Sequence, residues 1–114
     1  MYYQGKYEDA AKVFSYLNTL GPSDYRFVLG LAASLHRLGT RYEEAVRAYI
    51  FASSFDPKDP LPHFHAADCF IKMNEMDGAI ECLDFAIERA GRQKKYSHIK
   101  EKAVMVQKKL KEQI

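Results

Sequence analysis

The stretch Gly39-Thr40-Arg41-Tyr42-Glu43-Glu44-Ala45-Val46-Arg47-Ala48-Tyr49-Ile50-Phe51-Ala52-Ser53-Ser54-Phe55-Asp56-Pro57 reads as one helix with a turn ahead of it and a stop behind it. Its marker residues fall at Gly39-x2-Tyr42-x2-Ala45-x3-Tyr49-x2-Ala52-x4-Pro57, a three-and-four spacing that lines one face of a helix. Working outward, the pattern recurs on both sides. Upstream it is Gly5-x-Tyr7-x2-Ala10-x3-Phe14-x7-Pro22, and downstream it is Asn74-x-Met76-x2-Ala79-x3-Leu83-x2-Ala86-x4-Gly91. Ala10, Ala45 and Ala79 are therefore 35 and then 34 residues apart, the difference being one residue inserted in Gly39-Thr40-Arg41-Tyr42. A period of this length marks stacked repeats, each of which needs a neighbour to cover its apolar face.

The motif resembles the tetratricopeptide repeat, and that resemblance implies an all-α solenoid. Each position has a mechanical reason. Gly5 and Gly39 stand where one helix ends and a tight turn begins, a place where positive φ costs glycine little. Thr40 and Glu43 have the spacing of a capping box, and Asn74 is expected to cap the equivalent helix in the third copy. The alanines let antiparallel helices approach closely, while Phe14, Tyr49 and Leu83 fill the seam between them. Pro22 and Pro57 prevent each helix pair from running on. Helices are expected near 7–20, 24–38, 42–55, 60–73, 76–90 and 95–112, with Asp24 and Asp59 as N-caps and Pro60 in a tolerated first-turn position. No segment has the pattern of a strand.

Residues 1–114 are accordingly expected to form a single repeat domain, with repeats at about 1–23, 24–59 and 60–92 and a capping helix at about 95–112. The capping helix places Tyr96, Ile99, Ala103, Val106 and Leu110 on one apolar face, with lysines elsewhere. Only Met1 to Gln4 precede Gly5, so the first unit is expected to lack its partner helix. Either a shortened chain or a partner that covers Tyr7, Ala10, Ala11 and Phe14 accounts for this.

Composition narrows the function classes. With 47% hydrophobic and 28% charged residues, the chain is neither a disordered tail nor a disulfide scaffold. No apolar run approaches the roughly 20 residues needed to span a bilayer, and the N-terminus lacks the pattern of a secretory leader. A cytosolic protein is expected. Cys69 and Cys82 lie in helical stretches without a short metal or redox motif and read as buried free thiols. The net charge of +2 conceals an asymmetry: residues 92–114 carry eight basic and two acidic side chains, net +6, and the rest carry net −4. On a helix such a basic run reads first as a solvated face, and no aromatic stacking platform or Gly-rich motif points it toward nucleic acid.

In a repeat stack of this kind the first helix of each pair lines a concave groove. The residues expected to face it are Arg26, Leu29, Gly30, Ala33, His36 and Arg37 in the second unit, and Leu61, Phe64, His65, Asp68, Ile71 and Lys72 in the third. Small residues admit a peptide backbone, apolar residues grip its side chains, and charges are few. This lining suits an extended segment anchored by proline or aliphatic residues. It does not suit a carboxylate clamp of paired Lys, Asn and Arg, because Leu29, Gly30, Phe64 and His65 occupy the corresponding places.

Two runs carry a more specific resemblance. Asp24-Tyr25-Arg26-Phe27-Val28-Leu29-Gly30-Leu31-Ala32-Ala33 and Pro62-His63-Phe64-His65-Ala66-Ala67-Asp68-Cys69 are similar to the second and third repeats of the class II chaperones of type III secretion, the SycD, LcrH and IpgC type. The resemblance extends from about Gly5 to Gly91. It departs at the absent N-terminal helices, at the Thr40-Arg41 insertion, and in the last helix, which matches only in general character. It implies a bacterial cytoplasmic chaperone without ATPase activity. Such chaperones hold hydrophobic translocator proteins apart before secretion by binding an extended N-terminal segment through proline and leucine anchors. Carried onto this chain, Leu29, Gly30, Ala33, His36, Phe64, His65 and Asp68 would contact the client. Family members often dimerise through N-terminal helices, so a homodimer stays open.

Catalysis is not expected, because no phosphate loop and no nucleophile-with-base pattern is present. Neither a cofactor nor a metal is expected: His63 and His65, two apart on a helix, diverge and leave at most His65 and Asp68 on one face. Two other readings stay open. One is a generic repeat scaffold for a secretion-apparatus subunit or regulator. The other has the last helix bind nucleic acid, an interaction that would weaken steeply with salt and with neutralisation of Lys108, Lys109 and Lys111.

Overall fold

The computed structural model describes residues 25–113, with side chains from residue 27 onward. The helix expected near 7–20, the first repeat and the Asp24 cap lie outside the described residues. Five α-helices follow one another: α1 (Tyr25–Leu38), α2 (Tyr42–Ser53), α3 (Leu61–Lys72), α4 (Met76–Ala90) and α5 (Ser97–Glu112), the last preceded by a 3-10 turn at Lys94–Tyr96. No strand occurs among the described residues. Each helix packs chiefly on its neighbours in sequence, α1 on α2, α2 on α3, α3 on α4 and α4 on α5. This is the helix-pair stack of a tetratricopeptide solenoid, and the helices sit within a few residues of their expected bounds.

The repeat alanines work by being small. Ala45 and Ala79 are fully buried, as are Ala32, Ala48, Ala66 and Ala103. Tyr49 and Leu83 fill the seams at 3% and 1% exposure, joined by Leu35 and the two cysteines in one continuous core. Burial pushes the Cys69 thiol up to about 12 and the Cys82 thiol up to about 11, so both stay protonated and behave as small apolar groups. On α5, Ala103 and Leu110 are buried and Val106 packs on the core, as the apolar face requires. Gln107 reaches across from α5, its Nε2 donating to the Ile80 carbonyl at 3.1 Å and to Asp84 Oδ1 at 2.6 Å. Arg89 on α4 does the same for α2, donating to the Ser53 carbonyl at 2.8 Å.

The helix ends depart from expectation in three places. Thr40 and Glu43 do not form a capping box: Arg41 is the N-cap residue of α2, no side chain caps it, and Arg41 instead bonds Glu44. The inserted residue shifts Thr40 one place too early. Asn74 likewise does not cap α4. It sits at φ 60°, the position that Gly39 (φ 79°) occupies after α1, and closes the end of α3. Its N–H donates to the Ile71 carbonyl at 2.9 Å and the next N–H, of Glu75, donates to the Phe70 carbonyl at 2.9 Å, the paired bonds of a Schellman turn. Asp59 is not the N-cap residue of α3 and Pro60 does not lie within its first turn: Pro60 is the N-cap, although Asp59 Oδ1, one place earlier, still accepts the Leu61 N–H at 3.0 Å. Asn74→Ala is expected to cost about 1 kcal/mol, because alanine lacks the short amide that eases asparagine into left-handed backbone, whereas Asn74→Gly, which has no Cβ to strain there, should cost nothing. Urea denaturation of the two variants separates them.

A pH dependence follows from His63, which is 6% exposed. Burial and then the Arg89 charge hold its imidazole down to about 4. The folded protein thus binds this proton less readily than the unfolded chain, whose histidine titrates near 6.5. The associated stability is present above about pH 6.5 and is lost as pH falls toward 4, in all on the order of 3 kcal/mol. His65, also held below its ordinary value by burial and by His36, acts in the same direction. His63→Phe should flatten the loss of stability measured by denaturation between these pH values.

Candidate functional site

On the side formed by α1, α3 and α5, a cavity of 230 Å³ is lined by His36, Phe64, His65, Ala67, Asp68, Ile71, Leu83 and Val106. Five of these, His36, Phe64, His65, Asp68 and Ile71, are groove residues expected from the sequence. The helix spacing explains the convergence. Phe64, Asp68 and Ile71 follow one another at four and three residues along α3, which keeps them on one face. His36 arrives from the last turn of α1.

A polar network forms one wall of this cleft. His36 Nε2 donates to Asp68 Oδ2 at 2.6 Å, and His36 Nδ1 accepts the Tyr49 hydroxyl at 3.0 Å. The carboxylate sets the tautomer, because a neutral imidazole that donates through Nε2 must accept through Nδ1. Tyr49 can be relied on as donor: burial pushes its phenol up to about 12. One imidazole thus ties α1, α2 and α3 together. His65 lies against Tyr49, ring centroids 5.5 Å apart, and against Phe64 at 6.0 Å. Asp68 keeps 48% of its side chain exposed, so the network has a polar edge facing the cleft.

The remaining expected residues are placed as follows. Leu29 is half-buried against the core, Ala33 is half-buried, and Gly30 is exposed with open space where a side chain would stand. Arg37 and Lys72 are exposed and Leu61 is half-buried, and none of the three lines the cavity. The Arg26 side chain lies outside the described residues. Val106, Leu83 and Ala67 line the cleft without having been expected to. Val106 was legible: His36, Ile71 and Val106 are spaced by 35 residues, so running the period once more reaches it. Leu83 reaches the cleft from a second helix, which no first-helix rule would find.

His63 and His65 enter separate cavities, the former on the side of α2 and α4. Among the described residues no three metal-ligating side chains come together, and no helix is long and apolar enough to cross a membrane.

A right-sized helix-pair stack, alanine-seamed, with an apolar cleft on its first helices, defines a tetratricopeptide-repeat protein, and the family model for the tetratricopeptide repeat matches residues 1–24. The low calcium response locus protein H of Yersinia pestis is 41% identical over 87 residues, covering 76% of this chain and 51% of that protein. The chain spans about half the length of this curated relative. The type III secretion chaperone SycD of Yersinia enterocolitica, solved with a peptide of the translocator YopD, superposes with a TM-score of 0.77 at 33% identity, over 98% of this chain and 85% of that one. PcrH of Pseudomonas aeruginosa, solved with the chaperone binding region of PopD, gives a TM-score of 0.79 at 31% identity, over 98% of this chain and 84% of that one. The chain belongs to the family of type III secretion translocator chaperones.

Proposed function

We propose that the chain is a non-enzymatic chaperone that holds an extended N-terminal segment of a hydrophobic translocator in the cleft of α1, α3 and α5. Bound there in the bacterial cytoplasm, the client stays soluble and separate until secretion. The observation that carries this reading is the convergence of Phe64, Ile71 and Val106 with the polar edge of His36, His65 and Asp68 in one cleft. Its relatives SycD and PcrH are recorded with translocator segments bound. An extended chain needs apolar sockets for alternate side chains and a few polar atoms for its backbone, and the cleft offers both. Leu29, Gly30 and Ala33 continue the surface along α1, with Arg37 at its edge and Leu61 at the start of α3. Residues 1–114 act in this reading as a single repeat domain, and self-association of the kind recorded for SycD is compatible with it.

Clients with membrane-inserting segments associate through exposed apolar surface when left alone. Co-expression with the translocator of the same secretion system should therefore move that translocator from the pellet to the supernatant. A translocator that partitions identically with and without the chain would refute the proposal.

A further inference from the structure

A second cavity lies away from the client cleft. Between α2 and α4, Val46, Ile50, Phe70, Cys82 and Phe85 enclose 350 Å³, with His63, Gly78 and Glu81 completing the wall. Ile50 and Phe85 remain 40% and 44% exposed. Gly78 is needed for its shape: a Cβ there would stand 2.8 Å from the Phe70 ring, which lies across α4 at that point. His63, buried and stacked on Phe85 with ring centroids 5.0 Å apart, has a ring nitrogen, Nδ1, with no hydrogen-bond partner. A sealed polar atom left unpaired is unusual in a wall that only has to pack.

Charge segregates with the helices. α2 and α4 hold six carboxylates, Glu43, Glu44, Asp77, Glu81, Asp84 and Glu88, against Arg47 and Arg89. The Arg89 guanidinium is already given to the Ser53 and Asp56 carbonyls, at 2.8 and 3.3 Å. α1, α3 and α5 together hold eight cations and three carboxylates. The outer pair of helices is thus acidic and the cleft-forming helices are basic. Around Phe85 the effect is local, since Glu81 and Glu88 lie one turn to either side of it on the same face and both are exposed.

We propose that this outer groove docks a basic amphipathic helix of a partner protein. One large apolar residue would seat between Ile50 and Phe85, and Lys or Arg side chains would lie against Glu81 and Glu88. A second copy of the chain is the weaker occupant. Its α5 is basic and exposes Val104 and Met105, but Glu101 and Glu112 share the Met105 face and would meet the acidic rim. The outer groove shares no lining residue with the client cleft, so both could be filled at once.

The test uses the whole chain and two labelled synthetic helices of identical apolar pattern, one Leu/Lys and one Leu/Glu, followed by fluorescence anisotropy. The Leu/Lys helix should bind and the Leu/Glu helix should not. Phe85→Ala and Ile50→Ala, both at exposed positions that leave the core intact, should each weaken binding about tenfold. Glu81→Lys should weaken the Leu/Lys helix and admit the Leu/Glu helix, while Phe64→Glu in the client cleft should leave both unchanged. Equal binding of the two helices would overturn the proposal. So would loss of binding with Phe64→Glu but not Phe85→Ala, or sedimentation showing self-association that Phe85→Ala dissolves.

Discussion

Phe64→Glu is expected to reduce affinity for an extended translocator segment by about 100-fold. Phe64 is half-buried, packs on the core and lines the cleft beside Ile71 and Val106. Removing an aromatic anchor costs about 2 kcal/mol or more, and a carboxylate in an apolar socket adds a desolvation penalty. Together these amount to roughly 3 kcal/mol, or about two decades in Kd. Ala33→Glu, on the neighbouring first helix, should act in the same direction by filling space that a peptide would need. Arg37→Ala is the contrast, an exposed residue that does not line the cavity, and should change affinity less than threefold. Titration of a labelled client peptide reads all three. Unchanged affinity in a Phe64→Glu protein with an intact helical spectrum would show that the client does not use the cleft.

The second large effect is on stability. Leu35 and Leu83 are 0% and 1% exposed and belong to one core that runs through the described helices. Each Leu→Ala change should cost about 3 kcal/mol, the transfer loss plus an unfilled cavity. In a stack where each helix touches mainly its neighbours, a breach is not shared across a large core. Against a total of about 5–15 kcal/mol, either variant would lose a large part of its stability and melt about 10 °C or more below the parent chain. Val104→Ala and Met105→Ala, at 47% and 57% exposure, should stay within about 0.5 kcal/mol. If all four variants melted together, the seam would not be the source of stability.

Much of the architecture was legible because it rests on spacing. Ala45, Ala79, Tyr49 and Leu83 recur at a period, and a period survives whatever the side chains do in detail. The helix starts were less legible because capping depends on register to a single residue. Thr40 and Glu43 have the right letters, but the insertion places Arg41 at the N-cap. Asn74 illustrates a different ambiguity, since the same amide side chain suits a helix start and the left-handed residue after a helix end. Only the backbone angle of 60° separates the two.

The candidate site divides in the same way. That Phe64, Asp68 and Ile71 share a face follows from helical geometry alone, and Val106 follows once the 35-residue spacing from His36 and Ile71 is carried forward. The bond from His36 to Asp68, 32 residues away, and the bond to Tyr49 could not be read in advance. They depend on how three helices are placed against one another. The division of charge between outer and inner helices is written in the sequence as well, but it becomes a property of surfaces only when alternate helices fall on opposite sides of the stack.

The sequence by itself determined the repeat, the helices and the residues available to the cleft, because local hydrogen bonding and apolar periodicity act over a few residues. The tertiary structure decided which of those residues meet, which carboxylate holds His36, and that a second, apolar groove lies between α2 and α4 with Glu81 in its wall. Those outcomes depend on helix packing, where one shared neighbour or one inserted residue moves a side chain from one surface to another.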